Sequence, residues 1–218
     1  MKGASRELRQ PVVLTAPSGT GKTTIARRLV DGYPDFVFSV SATTREPRPG
    51  ERDGSDYHFI DRARFEEMIL AGDFAEWADV HGRLYGTPRA NLDDAQLRGE
   101  TVVLDIDVQG AFRIADSVPQ AIRIFVLPPD AKTMLARLTG RDTESEAEMV
   151  RRLRSAVAEL GRAGAFDWVV VNDDLDTAVA QVRDLARGTV SGRRPADETE
   201  RIAALREELS VELAARAG

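Results

Sequence analysis

The chain has 218 residues, and its 36 acidic against 30 basic residues leave a net charge of −6. That length suits one well-cored α/β domain with insertions, and the acidic balance argues against a general nucleic-acid binder. With no cysteine and only His58 and His81, disulfides, thiolate nucleophiles and Cys-ligated zinc are excluded, and a histidine-rich metal site lacks ligands. The first residues, MKGASRELRQP, carry charge without an apolar core, and the aliphatic runs fall far short of the ~20 residues a bilayer needs. The expectation is one soluble, cytoplasmic body with no membrane or nucleic-acid partner; monomer and homo-oligomer both stay open.

Val12-Val-Leu14 is a short β-branched run ending at a Gly-rich turn, and Thr23 to Val30 follows with Ile25, Leu29 and Val30 at helical spacing. Strand, loop, helix is predicted there. Residues 42 to about 90 are rich in turn formers, arginine and aromatics, and are expected as short strands plus a helix near Phe65 to Leu70, inserted after the second strand. Three further apolar runs, Thr101 to Leu104, Ile122 to Leu127 and Trp168 to Val171, are separated by segments long enough for crossover helices, which predicts a parallel sheet. Helices are expected over Asp130 to Leu138, Ser145 to Leu160 and Leu175 to Arg187, with Pro128-Pro129 giving a sharp exit before the first. Residues 139 to about 150, TGRDTESEAEMV, are polar and read as a surface flap. From Ser191 a tail places Ile202, Leu205, Leu209 and Leu213 at helical spacing, as for a helix packing on the body or on a neighbouring subunit.

The turn after the first strand, Thr15-Ala-Pro-Ser-Gly-Thr-Gly-Lys-Thr-Thr24, fits the phosphate-loop pattern except that Ala16 replaces its first glycine. In such a turn backbone N–H groups converge on phosphate oxygens and the helix N-terminus adds its positive dipole end. The ATP-binding set expected here is Ala16, Pro17, Ser18, Gly19, Thr20, Gly21, Lys22, Thr23 and Thr24. Lys22 would reach the β- and γ-phosphates and the Thr23 hydroxyl would ligate Mg²⁺. Ala16 sits at the entrance, where a methyl is tolerable if φ stays negative. The loop by itself says ATP or GTP and nothing about the acceptor.

Ser39-Val-Ser-Ala-Thr-Thr-Arg-Glu-Pro-Arg-Pro-Gly50, Asp53 to Tyr57, Glu76-Trp77, Tyr85-Gly-Thr87, Leu104 to Gly110, Gly140-Arg141, Arg151 to Leu153 and Val171-Asn-Asp-Asp174 follow in that order. Together they resemble guanylate kinase over residues 12 to about 187. The resemblance implies an α/β fold: a P-loop NTPase-type parallel sheet flanked by helices, with an inserted mixed α+β GMP-binding region and a helical lid. It divides a single domain into core (about 1–41, 91–138 and 151–190), GMP-binding region (about 42–90), lid (about 139–150) and C-terminal tail (about 191–218). The implied reaction is ATP + GMP to ADP + GDP with Mg²⁺, dGMP serving as well.

The residue types suit that chemistry. A phosphate monoester presents several acceptor oxygens, which the forks of Arg45 and Arg48 and the hydroxyls of Tyr57 and Tyr85 can share. Guanine offers adjacent N1–H and N2–H₂ donors that a carboxylate accepts side by side, and Glu76 is the matching residue, with Ser41 and Thr87 at the family's positions for the O6 and N7 side. By resemblance Asp105 contacts the acceptor nucleotide. Asp107 is expected to support Mg²⁺ through water; sequence does not separate the two roles. Phosphoryl transfer needs charge neutralisation and alignment, so Lys22, Arg137, Arg141 and Arg152, the last three matching the family's lid and lid-adjacent arginines, are the expected catalytic groups. Asn172 matches a position near the adenine. Asp142 and Leu84 depart from the family's pattern. The alternatives are a non-catalytic guanylate kinase-like interaction module, opposed by the intact Gly21-Lys22-Thr23, and a P-loop kinase for another small phosphate ester, opposed by Ser41, Glu76 and Thr87.

Overall fold

Strand β1 (Val12–Thr15) is buried at every residue, as a β-branched run inside a parallel sheet must be. The computed structural model describes residues 9–80, 82–139 and 146–217. Helix α1 (Lys22–Gly32) follows β1 and buries Ile25, Ala26 and Leu29. Strands β2 (Phe36–Phe38), β7 (Thr101–Asp105), β8 (Ile122–Leu127) and β9 (Trp168–Val171) complete a sheet of order β2-β7-β1-β8-β9. The β2–β7 and β8–β9 pairings are parallel, as the spacing of the apolar runs predicts.

Internal packing divides the chain into two units, Met1–Val13 with Leu29–Ile122 and Leu14–Arg28 with Arg123–Gly218. Their boundary runs through β1 and α1, so this division differs from the core, insertion and lid read from the sequence.

The first unit holds a second, four-stranded sheet of order β4-β3-β6-β5, from β3 (Ala42–Thr43), β4 (His58–Phe59), β5 (Phe74–Val80) and β6 (Arg83–Pro88). Helix α2 (Arg62–Ala71) begins where the Asp61 side chain accepts from Arg64 N–H and ends at Gly72 with φ +74°, standard start and stop devices. Its Phe65 stacks on Phe74 at 4.4 Å within a core that includes Ala42 and Leu84. Leu84, a departure from the family's pattern, is thus a core side chain. Two helices that the spacing does not announce follow: α3 (Arg89–Arg98), with Ala95 buried, and α4 (Val108–Ser117), which packs on β5.

The second unit carries α5 (Ala131–Thr139), α6 (Glu146–Leu160) and α7 (Leu175–Ala186), close to their predicted limits. Helix α8 (Thr199–Ala217) packs on α6, burying Leu205 and Leu209. Arg216 reaches Glu146 at 3.0 Å, and Arg201 donates to the Pro129 carbonyl at 2.8 Å. The Arg194 guanidinium lies 3.8 Å over the Trp168 ring. No helix among the described residues is long and apolar enough to cross a membrane.

Candidate functional site

The phosphate-loop residues lie in the second unit. Gly19 and Gly21 have φ of +85° and +89°, the left-handed region in which a side chain is strained. Space is also lacking: a Cβ on Gly21 would come within 2.6 Å of Asn172 Nδ2, and one on Gly19 within 3.1 Å of Leu138. Ala16 is buried at the exit of β1, so its methyl is packed into the protein at the entrance of the turn. The Thr20 hydroxyl closes the turn by donating to the Pro17 carbonyl at 2.6 Å.

The Thr20 carbonyl gathers other donors, accepting from Asn172 Nδ2 at 2.7 Å and from Arg137 Nη1 at 3.4 Å. Arg152 donates to the Ser18 hydroxyl at 2.8 Å. Two of the expected cations, and the residue expected near the adenine, therefore rest on the loop itself. Lys22 opens α1, with Thr23 and Thr24 exposed behind it, and the first turn of that helix has no acidic residue to offset its dipole. Arg141 and Asp142 lie outside the described residues.

The residues expected at the acceptor lie in the first unit. Glu76 and Thr87 stand directly opposite on β5 and β6, and the Thr87 hydroxyl donates to the Glu76 carboxylate at 2.7 Å. Glu76 is 8% exposed. Burial pushes its pKa up and the nearby Asp107 charge adds to the effect, while the Thr87 hydrogen bond and Arg113 oppose it. A strand register shift between Phe74 and Glu76 decides where this carboxylate faces. Gly86, whose Cβ would strike Phe74 at 2.8 Å, and Thr87 point to opposite faces of β6. Glu76, over Thr87, therefore leaves the face that Phe74 fills, although two-residue alternation would have put them together.

A second cluster surrounds Arg45. Its guanidinium lies 5.4 Å from the Tyr57 ring centroid and interacts with Tyr85, and the two tyrosine rings meet edge to face at 6.0 Å. Burial, reinforced by the Asp105 and Tyr85 charges, raises the Tyr57 pKa, which keeps that hydroxyl a donor. Arg48 is exposed, and its backbone N–H enters the cluster by donating to Glu51 at 2.7 Å. Ser41 is half-buried at the start of β3; its carbonyl accepts from His58 N–H at 2.8 Å.

Asp105 and Asp107 do not both belong to β7. Strand β7 ends at Asp105, and Asp107 caps α4 by accepting from Gly110 N–H at 2.7 Å. A Cβ on Gly110 would lie 3.3 Å from both the Asp107 and the Glu76 carboxylates, so these two acids approach one glycine. Sequence reasoning passed over Glu51, which pairs with Arg45, and Asn91, which donates to the Ser39 hydroxyl and the Val40 carbonyl beside Ser41. The turn formers Pro49-Gly50 were a usable signal for Glu51; Asn91 carried none.

Residues 8–188 match the family model described as guanylate kinase. The guanylate kinase of Anaeromyxobacter dehalogenans is 52% identical over 178 residues, 81% of this chain and 79% of that protein. That of Myxococcus xanthus is 46% identical over 175 residues, 80% of this chain and 84% of its own length. The crystal structure of guanylate kinase from Anaplasma phagocytophilum is similar with a TM-score of 0.69 and 32% identity, covering 84% of this chain and 86% of that one. A phosphate loop gripped by its own cations, a buried carboxylate paired with a hydroxyl, and likeness across four fifths of the length lead to one assignment: the chain belongs to the guanylate kinase family.

Proposed function

We propose that the chain transfers the γ-phosphoryl group of ATP to GMP or dGMP, yielding ADP and the guanosine diphosphate. The observation that carries the choice of acceptor is the buried Glu76 carboxylate bound by the Thr87 hydroxyl at 2.7 Å. Ionised, it can accept N1–H and N2–H of guanine, whereas adenine has no proton on N1 and would leave it unpaired. In this reading Ser41 and Thr87 serve the O6 and N7 side, the Thr87 hydroxyl turning its one proton from Glu76 to the base, Asp105 contacts the nucleotide, and Arg45, Arg48, Tyr57 and Tyr85 bind its phosphate.

On the donor side, Ala16 to Thr24 and Asn172 bind ATP. Lys22, Arg137, Arg141 and Arg152 neutralise the charge that spreads over the transferring group. No protein nucleophile is needed: a GMP phosphate oxygen attacks the γ-phosphorus in line, the bond to the β,γ-bridging oxygen breaks, and ADP leaves with those electrons.

The donor set suits a Mg²⁺ carried mainly by the nucleotide. Among the described residues no group of three or more His, Cys, Asp or Glu could hold a metal, while Thr23 offers an exposed hydroxyl on the first turn of α1. Such a sparse oxygen set fits Mg²⁺, which keeps several waters. Thr23 would bind it directly and Asp107 through water, and the ion would supply charge neutralisation at the β- and γ-phosphates. An ADP-release assay over a panel of monophosphates tests the reading: turnover with GMP and dGMP but not AMP, CMP or UMP is expected. Equal ATP turnover with AMP and GMP would sink it.

A further inference from the structure

The segment Arg48-Pro49-Gly50-Glu51 turns back on itself: Gly50 has φ +89° and Glu51 N–H donates to the Arg48 carbonyl at 3.0 Å. Proline followed by a glycine of positive φ is the signature of a type II turn. The turn brings the Glu51 carboxylate against Arg45 end-on, with Nη1 donating to Oε2 and Nη2 to Oε1, both at 2.9 Å. Both side chains are largely covered, at 15% and 21% exposure.

Nη1 spends its other proton on the Glu46 carbonyl at 2.7 Å. With the end edge taken by Glu51, the protons that remain to Arg45 are those of its side edge, Nε–H and the second Nη2–H, a parallel pair that also meets the Tyr85 hydroxyl and matches two oxygens of a phosphate. The Tyr57 ring beneath and Tyr85 alongside confine the same plane. An arginine has many rotamers to lose on binding; here a carboxylate has already removed them.

We propose that Glu51 is a positioning residue for the acceptor phosphate: it fixes the Arg45 guanidinium so that only its side edge meets the ligand. The inference rests on the reading of Arg45 as a phosphate ligand. The opposite effect is physically available, since removing a carboxylate from a cationic cluster raises the local positive potential and, without a positioning role, would tighten an anion.

The test is Glu51→Gln, which keeps shape and acceptor oxygen while losing the charge-assisted pair, with Glu51→Asp as the shortened acid. Calorimetric binding of GMP and of guanosine, which lacks the phosphate, is compared, together with KM for GMP and for ATP. Freeing a side chain that must then be immobilised predicts a GMP Kd weakened by about tenfold in Glu51→Gln. Guanosine Kd and KM for ATP should be unchanged, and Glu51→Asp intermediate. An unchanged or tighter GMP Kd overturns the inference, as does equal weakening of GMP and guanosine, which would make Glu51 a support of the whole pocket. A wild-type chain that binds no GMP overturns the GMP reading as well, so the two failures are distinguishable.

Discussion

To read guanine as proposed, Glu76 has to be ionised, yet its burial favours the neutral acid. A carboxyl whose folded pKa lies above its unfolded value favours the fold below the unfolded pKa and loses that contribution as pH rises through the folded one. At neutral pH the empty pocket therefore carries a cost. Glu76→Gln is expected to raise the melting temperature of the ligand-free protein at neutral pH, where each 1 kcal/mol is worth about 2–4 °C for a chain of this size. The gain should shrink in acid, where the native carboxyl is also neutral. The same variant should lose about 1.5–3 kcal/mol of GMP binding, the range for hydrogen bonds to a charged group. Calorimetry with and without GMP checks both, and a variant that melts lower at neutral pH would contradict the argument. The pH dependence of GMP binding carries the opposite sign, because binding needs the ionised form. Affinity should fall, as pH is lowered, before an ordinary carboxylate protonates, and Glu51, held below its usual range by Arg45, should titrate only later.

Elements explain which parts of this arrangement were legible. The β-branched run of β1, the glycines of its loop and the periodic faces of α5, α6 and α7 declare themselves because packing and local geometry demand the same residues. Helix α3 did not, since Ala95 is its buried residue and the rest of Arg89–Arg98 is largely polar. Helix α4 was hidden behind Asp-Ile-Asp, which reads as a strand end until Asp107 is seen capping it. The facing of Glu76 was illegible for another reason: a one-residue register shift is set by pairing with β6, not by β5's own alternation. Asp107 can be dissected by substitution. Asparagine caps as well as aspartate, so Asp107→Asn should leave the melting temperature nearly unchanged, whereas Asp107→Ala should cost about 1 kcal/mol. If Asp107 also supports Mg²⁺, the Asn variant will need several-fold more Mg²⁺ for half-maximal turnover; wild-type Mg²⁺ dependence would leave the residue as a cap alone.

Across the whole molecule, the residues proposed to bind the acceptor, Ser41 to Asp105, all fall in one unit, and those proposed for the donor, Ala16 to Thr24, Arg137, Arg152 and Asn172, all fall in the other. Each substrate can therefore be followed separately. Hydrogen exchange with GMP alone should slow amides mainly in residues 39–60 and 74–88, and a non-hydrolysable ATP analogue should slow them mainly in residues 16–24. Protection of both sets by GMP alone would show coupling between the units. The segment after residue 188 lies beyond the family match, yet α8 buries Leu205 at 3% and Leu209 at 0% exposure. Leu209→Ala should accordingly destabilise the second unit by about 2–5 kcal/mol, as buried leucines do, measurable by urea denaturation.

The two tryptophans of the chain are divided in the same way. Trp77, 41% exposed, adjoins Glu76 on β5, while Trp168 lies under the Arg194 guanidinium on β9. Each unit thus contains its own intrinsic fluorophore, and replacing either with phenylalanine leaves an emission that reports on one unit alone. With Trp77 retained, the signal originates one residue from the carboxylate proposed to read guanine; with Trp168 retained, it follows the unit that carries the phosphate loop.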